Sequence, residues 1–183
     1  MDLLNTILNA QNGGMVDQLA KNFGLGSSEA KNAIGQLLPS LARGIQNNTS
    51  KQGGLDSLLA ALQKGNHQKY LDNPDLLKSN DTVTDGNNIL GHILGSKDIS
   101  RNIAGHASTK TGLDTGILKK MLPLVASMAM GAMSKQTSGG GTLSTLAPGQ
   151  QSSSLIGNLT SFLDADKDGS IVDDLLNLGK KFF

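Results

Sequence analysis

The sequence predicts an all-α protein, and three observations carry that expectation. Apolar residues recur three and four positions apart through most of the first 135 residues, the spacing of one helix face. Alternating β-branched runs, the mark of strands, are missing. Glycine occurs 23 times, and of the 15 acidic residues only Glu29 is a glutamate. Glycine and aspartate favour caps and turns over helix interiors, so the expected pattern is many short helices joined by capped loops.

The elements follow in order. Leu3, Leu4, Ile7 and Leu8 form a first stripe after Asp2, a good N-cap residue. Val16, Leu19, Ala20 and Phe23 form a second, ended by Gly24. Ser27 can cap a third helix carrying Ala30, Ala33, Ile34, Leu37, Leu38, Leu41 and Ile45; Pro39 inside it should kink or restart it. Leu55, Leu58, Leu59 and Leu62 mark a fourth. Residues 64–83 read as polar and turn-rich, with a break at Asn73-Pro74. Thr84 or Asp85 then starts a helix with Ile89, Leu90, Ile93 and Leu94 that stops at Gly95. Ser96 caps the next, with Ile99, Ile103 and Ala104, and Asp114 caps an apolar helix over about 115–134.

Two stretches, about 1–50 and 86–134, read as an internal repeat. Leu3-Leu4 with Ile7-Leu8 pairs with Ile89-Leu90 and Ile93-Leu94. Gly24-Leu25 pairs with Gly112-Leu113, and Leu37-Leu38-Pro39 with Met121-Leu122-Pro123. The spacing between the last two features differs by four residues, about one helical turn. The expected organisation is a helical domain over 1–135, a flexible Gly/Ser/Thr/Gln-rich linker over 136–154, and a helix–loop–helix tail over 155–183.

Composition excludes several functions. With 183 residues, 17% charged and a net charge of +1, the chain is neither a polycation nor a supercharged disordered polymer. It has no Cys, which removes thiol catalysis, thiolate zinc sites and disulfide scaffolds. The lone glutamate argues against a paired-carboxylate hydrolase, and neither a GxSxG elbow nor a phosphate loop is present. The chain reads as no enzyme. Its first ten residues lack Lys and Arg, so no secretory signal is expected and a cytoplasmic location is the default. The best apolar run, Met121–Met133, has 13 residues against the roughly 20 needed to span a bilayer, so it reads as a core helix and no membrane span is expected. Its methionines, Met121, Met128, Met130 and Met133, read as core fillers, with an adaptable partner surface as the alternative.

One chemical handle stands out. The run from Asp164 to Asp174 matches the first half of an EF-hand calcium loop: carboxylates Asp164, Asp166 and Asp168 at positions 1, 3 and 5, and Gly169 at the sharp turn. Ser170 would offer its backbone carbonyl at position 7, and Ile171 supplies the apolar residue that follows. The second half departs, because position 12 is Leu175 in place of the bidentate glutamate. Asp173 or Asp174 would have to close the site, Asp174 being nearer the usual place. Calcium, Ca2+, suits such a flexible oxygen cage better than magnesium does. In the competing reading the same residues form a capped turn, with Asp164, Asp173 and Asp174 serving helix ends.

The N-terminal Leu-Leu-Asn-Thr-Ile-Leu, the segment from Val16 to Ile45 and its second copy resemble the YidB-like family of uncharacterised bacterial helical proteins. Its members often also carry a DxDxDGS segment, as Asp164–Ser170 does here. The resemblance implies a helical fold, in part homeodomain-like, and offers no catalytic residue.

DNA binding is the rival. A helix–turn–helix can be drawn over 13–46, but it offers only Lys21, Lys31 and Arg43 against Asp17 and Glu29. Its second copy adds Lys97, Arg101, Lys110, Lys119 and Lys120 against Asp98 and Asp114, a weak balance for a nucleic acid. His67, His92 and His106 lack metal-ligand spacing. The sequence therefore points to a non-enzymatic binding or assembly protein with a calcium-binding loop, its partner another protein or a second copy of itself. The alternative is a DNA-associated helical regulator.

Overall fold

In the computed structural model the described residues are 3–49 and 51–138, and every regular element among them is helical. The expected linker and the helix–loop–helix tail lie outside them, apart from residues 136–138.

Helix α1 spans Leu3–Asn9 and buries Leu3 and Ile7. A 3-10 turn over Ala10–Gly13 redirects the chain, with Gln11 and Asn12 in left-handed conformation at φ 51° and 55°. Helix α2, Gly14–Phe23, buries Met15, Val16, Leu19 and Ala20. It ends at Gly24, where a left-handed backbone lets the Leu25 N–H reach back 2.9 Å to the Ala20 carbonyl. Helix α3, Ser27–Thr49, buries one face from Ala30 to Ile45 and leaves Lys31, Asn32, Gln36, Arg43 and Asn47 outward.

Two expectations for α3 need correction. Its cap is Gly26, whose N–H donates 2.7 Å to the Glu29 carboxylate, half of a capping box. The Ser27 hydroxyl instead donates 2.6 Å to Asp17 on α2. Of the two outcomes expected of Pro39, a kink or a restart, the restart does not occur: one helix runs through it from Ser27 to Thr49. The proline removes one backbone donor, while Leu37, Leu38 and Leu41, buried on either side, hold both halves against the same core.

Helix α4 covers Gly54–Lys64. The stretch read as turn-rich contains helix α5, Lys69–Asp72, and a 3-10 turn, Pro74–Lys78, that bury Tyr70, Leu71 and Leu77. The expected break at Asn73-Pro74 is real: the Asn73 side chain accepts the Asp75 N–H at 3.0 Å. Helix α6 runs Asn80–Leu94, beginning four residues earlier than Thr84. Ser79 caps it by accepting the Asp81 N–H at 3.1 Å, and buried Thr82 donates 2.6 Å to the Leu76 carbonyl. Helix α7, Lys97–Thr111, is capped by Ser96 as expected. Helix α8, Thr115–Ser138, is capped by Asp114, whose carboxylate accepts the Gly116 N–H at 2.8 Å and the Ile117 N–H at 3.2 Å.

Helix α8 is the axis of the body. It packs against α1, α3, α4, α5, α6 and α7. Every residue from Met121 to Ser134 is buried, including all four methionines of the cluster, so the core reading of those residues holds. A helix apolar on all sides must be enclosed, and this one is. Its small residues, Ala126, Ser127, Ala129 and Ala132, allow neighbours close approach, and the Ser127 hydroxyl donates 3.3 Å to the Thr82 carbonyl on α6. The apolar length exceeds the 13 residues counted from sequence: Thr115–Gln136, 22 residues whose most apolar 18-residue window has a mean hydropathy of 1.2, is long and apolar enough to cross a bilayer. Here 78% of its most apolar 18-residue window is buried among the other helices.

The residue pairs read as a repeat occupy like places. Gly24 and Gly112 both stop helices in left-handed conformation, and Pro39 and Pro123 both lie inside the longest helices. Burial does not follow the pairing, since α3 hides one face, whereas α8 hides all of them from Met121 to Ser134.

Candidate functional site

Two places on the body gather side chains with chemistry. The first is an open groove of about 400 Å³ where α2, the 3-10 turn, α6 and α8 meet. Its floor is apolar: Phe23 from the end of α2, Leu77 from the turn, Val83 from α6 and Leu124 from α8. Lys78 and Lys120 stand on its rim. Asn22 holds the wall by donating 2.8 Å to the Leu77 carbonyl, and it accepts 2.8 Å from Gln18. Lys78 pairs with Asp75 at 2.7 Å, which holds that carboxyl below the usual range. Both partners are well exposed, so the pair adds little stability. Lys120 is exposed and has no ion-pair partner among the described residues.

The second place joins α5 to α6. Tyr70 is buried and its hydroxyl donates to the Asp85 carboxylate. Burial, then that hydrogen bond, pushes the phenol above its usual range, so it is a donor throughout the neutral region. Lys69 Nζ lies 4.9 Å from the ring centroid of Tyr70, and the His67 ring is 6.2 Å from it. Burial lowers the His67 imidazole, partly offset by a hydrogen bond to the backbone of Ala61. The phenol and carboxylate satisfy each other, so the cluster acts as a clasp between elements.

The sequence-predicted metal ligands, Asp164, Asp166, Asp168, Ser170, Asp173 and Asp174, lie outside the described residues. Among the described residues no group of three His, Cys, Asp or Glu side chains could hold a metal ion. His92 and His106 are exposed on α6 and α7. Of the helix–turn–helix residues, Lys21, Lys31 and Arg43 are exposed, as are Lys97, Arg101 and Lys110 of the second copy on α7, whereas the last helix of that copy, α8, is the buried axis. On α8 the exposed charges are confined to Lys119, Lys120 and Lys135.

Sequence reasoning missed both the groove and the clasp. The groove is assembled from four distant segments, and no local pattern announces it. The clasp left a faint signal: Tyr70 is the chain's single tyrosine, set in a stretch otherwise read as polar.

No curated protein and no solved structure matches the chain. A family match covers residues 5–136, from the start of α1 almost to the end of α8, and leaves the acidic segment beyond it. The matched stretch is the helical body just described, and by it the chain belongs to the family described as bacterial protein of unknown function, DUF937.

Proposed function

We propose that this chain is a non-enzymatic binding or assembly protein whose helical body carries a calcium-binding segment at Asp164–Asp174. The observation that carries the reading is the donor pattern: Asp164, Asp166 and Asp168 at alternate positions, then Gly169. The donors are all oxygens, the chemistry calcium selects, and a bound divalent ion would cancel the repulsion among the carboxylates. The Ser170 carbonyl and Asp173 or Asp174 would complete the set. The same reading takes the YidB-like resemblance as kinship and the triplets α1–α3 and α6–α8 as copies of one unit. Its non-enzymatic part rests on the sequence, which has no cysteine, one glutamate and no catalytic motif.

Calorimetric titration of calcium into the metal-stripped full chain tests it, with an Asp164→Ala/Asp168→Ala variant alongside and magnesium as competitor. Saturable binding at one site that the variant loses supports the reading. No heat of binding overturns it and leaves the acidic run as a capped turn.

A further inference from the structure

The groove on the body and the end of the chain have complementary chemistry. The floor of Phe23, Leu77, Val83 and Leu124 is apolar, and the two rim groups, Lys78 and Lys120, are cations. Lys120 lacks an ion-pair partner among the described residues, and the exposed Lys78–Asp75 pair exchanges at little cost. The geometry points to an occupant supplied by the chain itself: residues 155–183 dock in this groove, with apolar side chains on its floor and carboxylates on its lysines.

The segment has the composition the groove requires. It carries Leu155, Ile156, Leu159, Phe162 and Leu163 just ahead of the acidic run. Its five aspartates outnumber its three lysines, while residues 3–138 carry thirteen Lys and Arg against nine Asp and Glu. The two parts therefore attract, most strongly at low salt.

Chain length permits the contact in cis. Leu124, on the floor, lies fourteen residues before Ser138, the end of α8, a distance of about 21 Å along the helix axis. Residues 139–154 separate Ser138 from the segment, and sixteen residues can reach about 55 Å at full extension. The tether is thus long enough to fold back along α8, and covalent attachment raises the effective concentration of the segment at the groove.

Zero-length carbodiimide coupling of lysines to carboxylates in the full chain tests this. It is read by mass spectrometry on an equal mixture of 14N- and 15N-labelled chains in excess chelator. Chelator keeps the result independent of the calcium reading. The Lys135–Asp72 pair, at 3.2 Å, serves as an internal control. Links from Lys78 and Lys120 to aspartates within 164–174, between peptides of one isotope, are expected. A Phe162→Asp/Leu163→Asp variant should lower their yield about tenfold, the scale of losing one buried apolar side chain, with the control link unchanged. The proposal is overturned by tail links no more frequent at these lysines than at Lys21 and Lys31. It is equally overturned by mixed-isotope links alone, which would make the occupant a second copy, or by links that survive the double variant.

Discussion

A Cβ built on Gly86 would lie 2.0 Å from the carbonyl oxygen of Pro123, so α6 and α8 touch backbone to backbone at that point. Neither partner can give by moving a side chain. Gly86→Ala should therefore destabilise the protein by about 2–3 kcal/mol, as overpacking against a rigid neighbour does. Gly91, on the same helix, has nothing within 4 Å of its Cβ position, and Gly91→Ala should add about 0.5–1 kcal/mol by its helix propensity. Urea unfolding of the two variants checks the contrast, and equal signs would refute the close approach. His67 makes a second residue-scale prediction. Burial holds its imidazole below the usual 6.5, so the unfolded chain takes up that proton first. The contribution is whole above pH 6.5 and is lost as pH falls through 6.5 toward the folded value. Thermal unfolding at pH 7.5 and 5.5 should show a drop in Tm that shrinks in His67→Gln.

Between α1 and α2 the chain takes three successive left-handed residues, Gln11, Asn12 and Gly13, at φ 51°, 55° and 87°. Glycine adopts this conformation freely and asparagine tolerates it, but glutamine bears the full cost of its Cβ. Gln11 is exposed, so Gln11→Gly should raise stability by about 1 kcal/mol, measured as a shift in the urea midpoint at constant slope. That turn shows what a sequence can reveal of an element and what it conceals. The caps at Ser96 and Asp114 and the stops at Gly24 and Gly95 were legible because each depends on bonds within a few residues of the helix end. The start of α6 at Asn80 and the short helix α5 were not. Tyr70, Leu71 and Leu77 are too few and too irregular to show a period, and they are buried by elements distant in sequence. The candidate sites divide in the same way: the acidic run is contiguous and readable, while the groove exists only once α2, α6 and α8 have met.

At the scale of the whole molecule, the two helix triplets do not form two bodies. Helix α3 of the first packs on α6 and α7 of the second, and α1 and α3 both pack on α8. The apolar faces of α1–α3, including Leu3, Ile7, Leu37 and Leu38, are therefore covered by the second triplet as well as by one another. Stripped of that cover, a fifty-residue piece would leave much of its core in water, and isolated helices of these lengths are marginal without tertiary packing. A shared axis also removes any boundary at which half the molecule could open alone. The body should thus unfold in one transition, with calorimetric and van't Hoff enthalpies equal and helicity lost at the same temperature as exchange protection of α8. A peptide of residues 1–50 should show little helix by circular dichroism and no cooperative melting. Two resolved transitions, or a cooperatively folded 1–50 peptide, would mean that each triplet is stable by itself and that α8 joins two finished units, whereas a single transition makes α8 the element on which both depend.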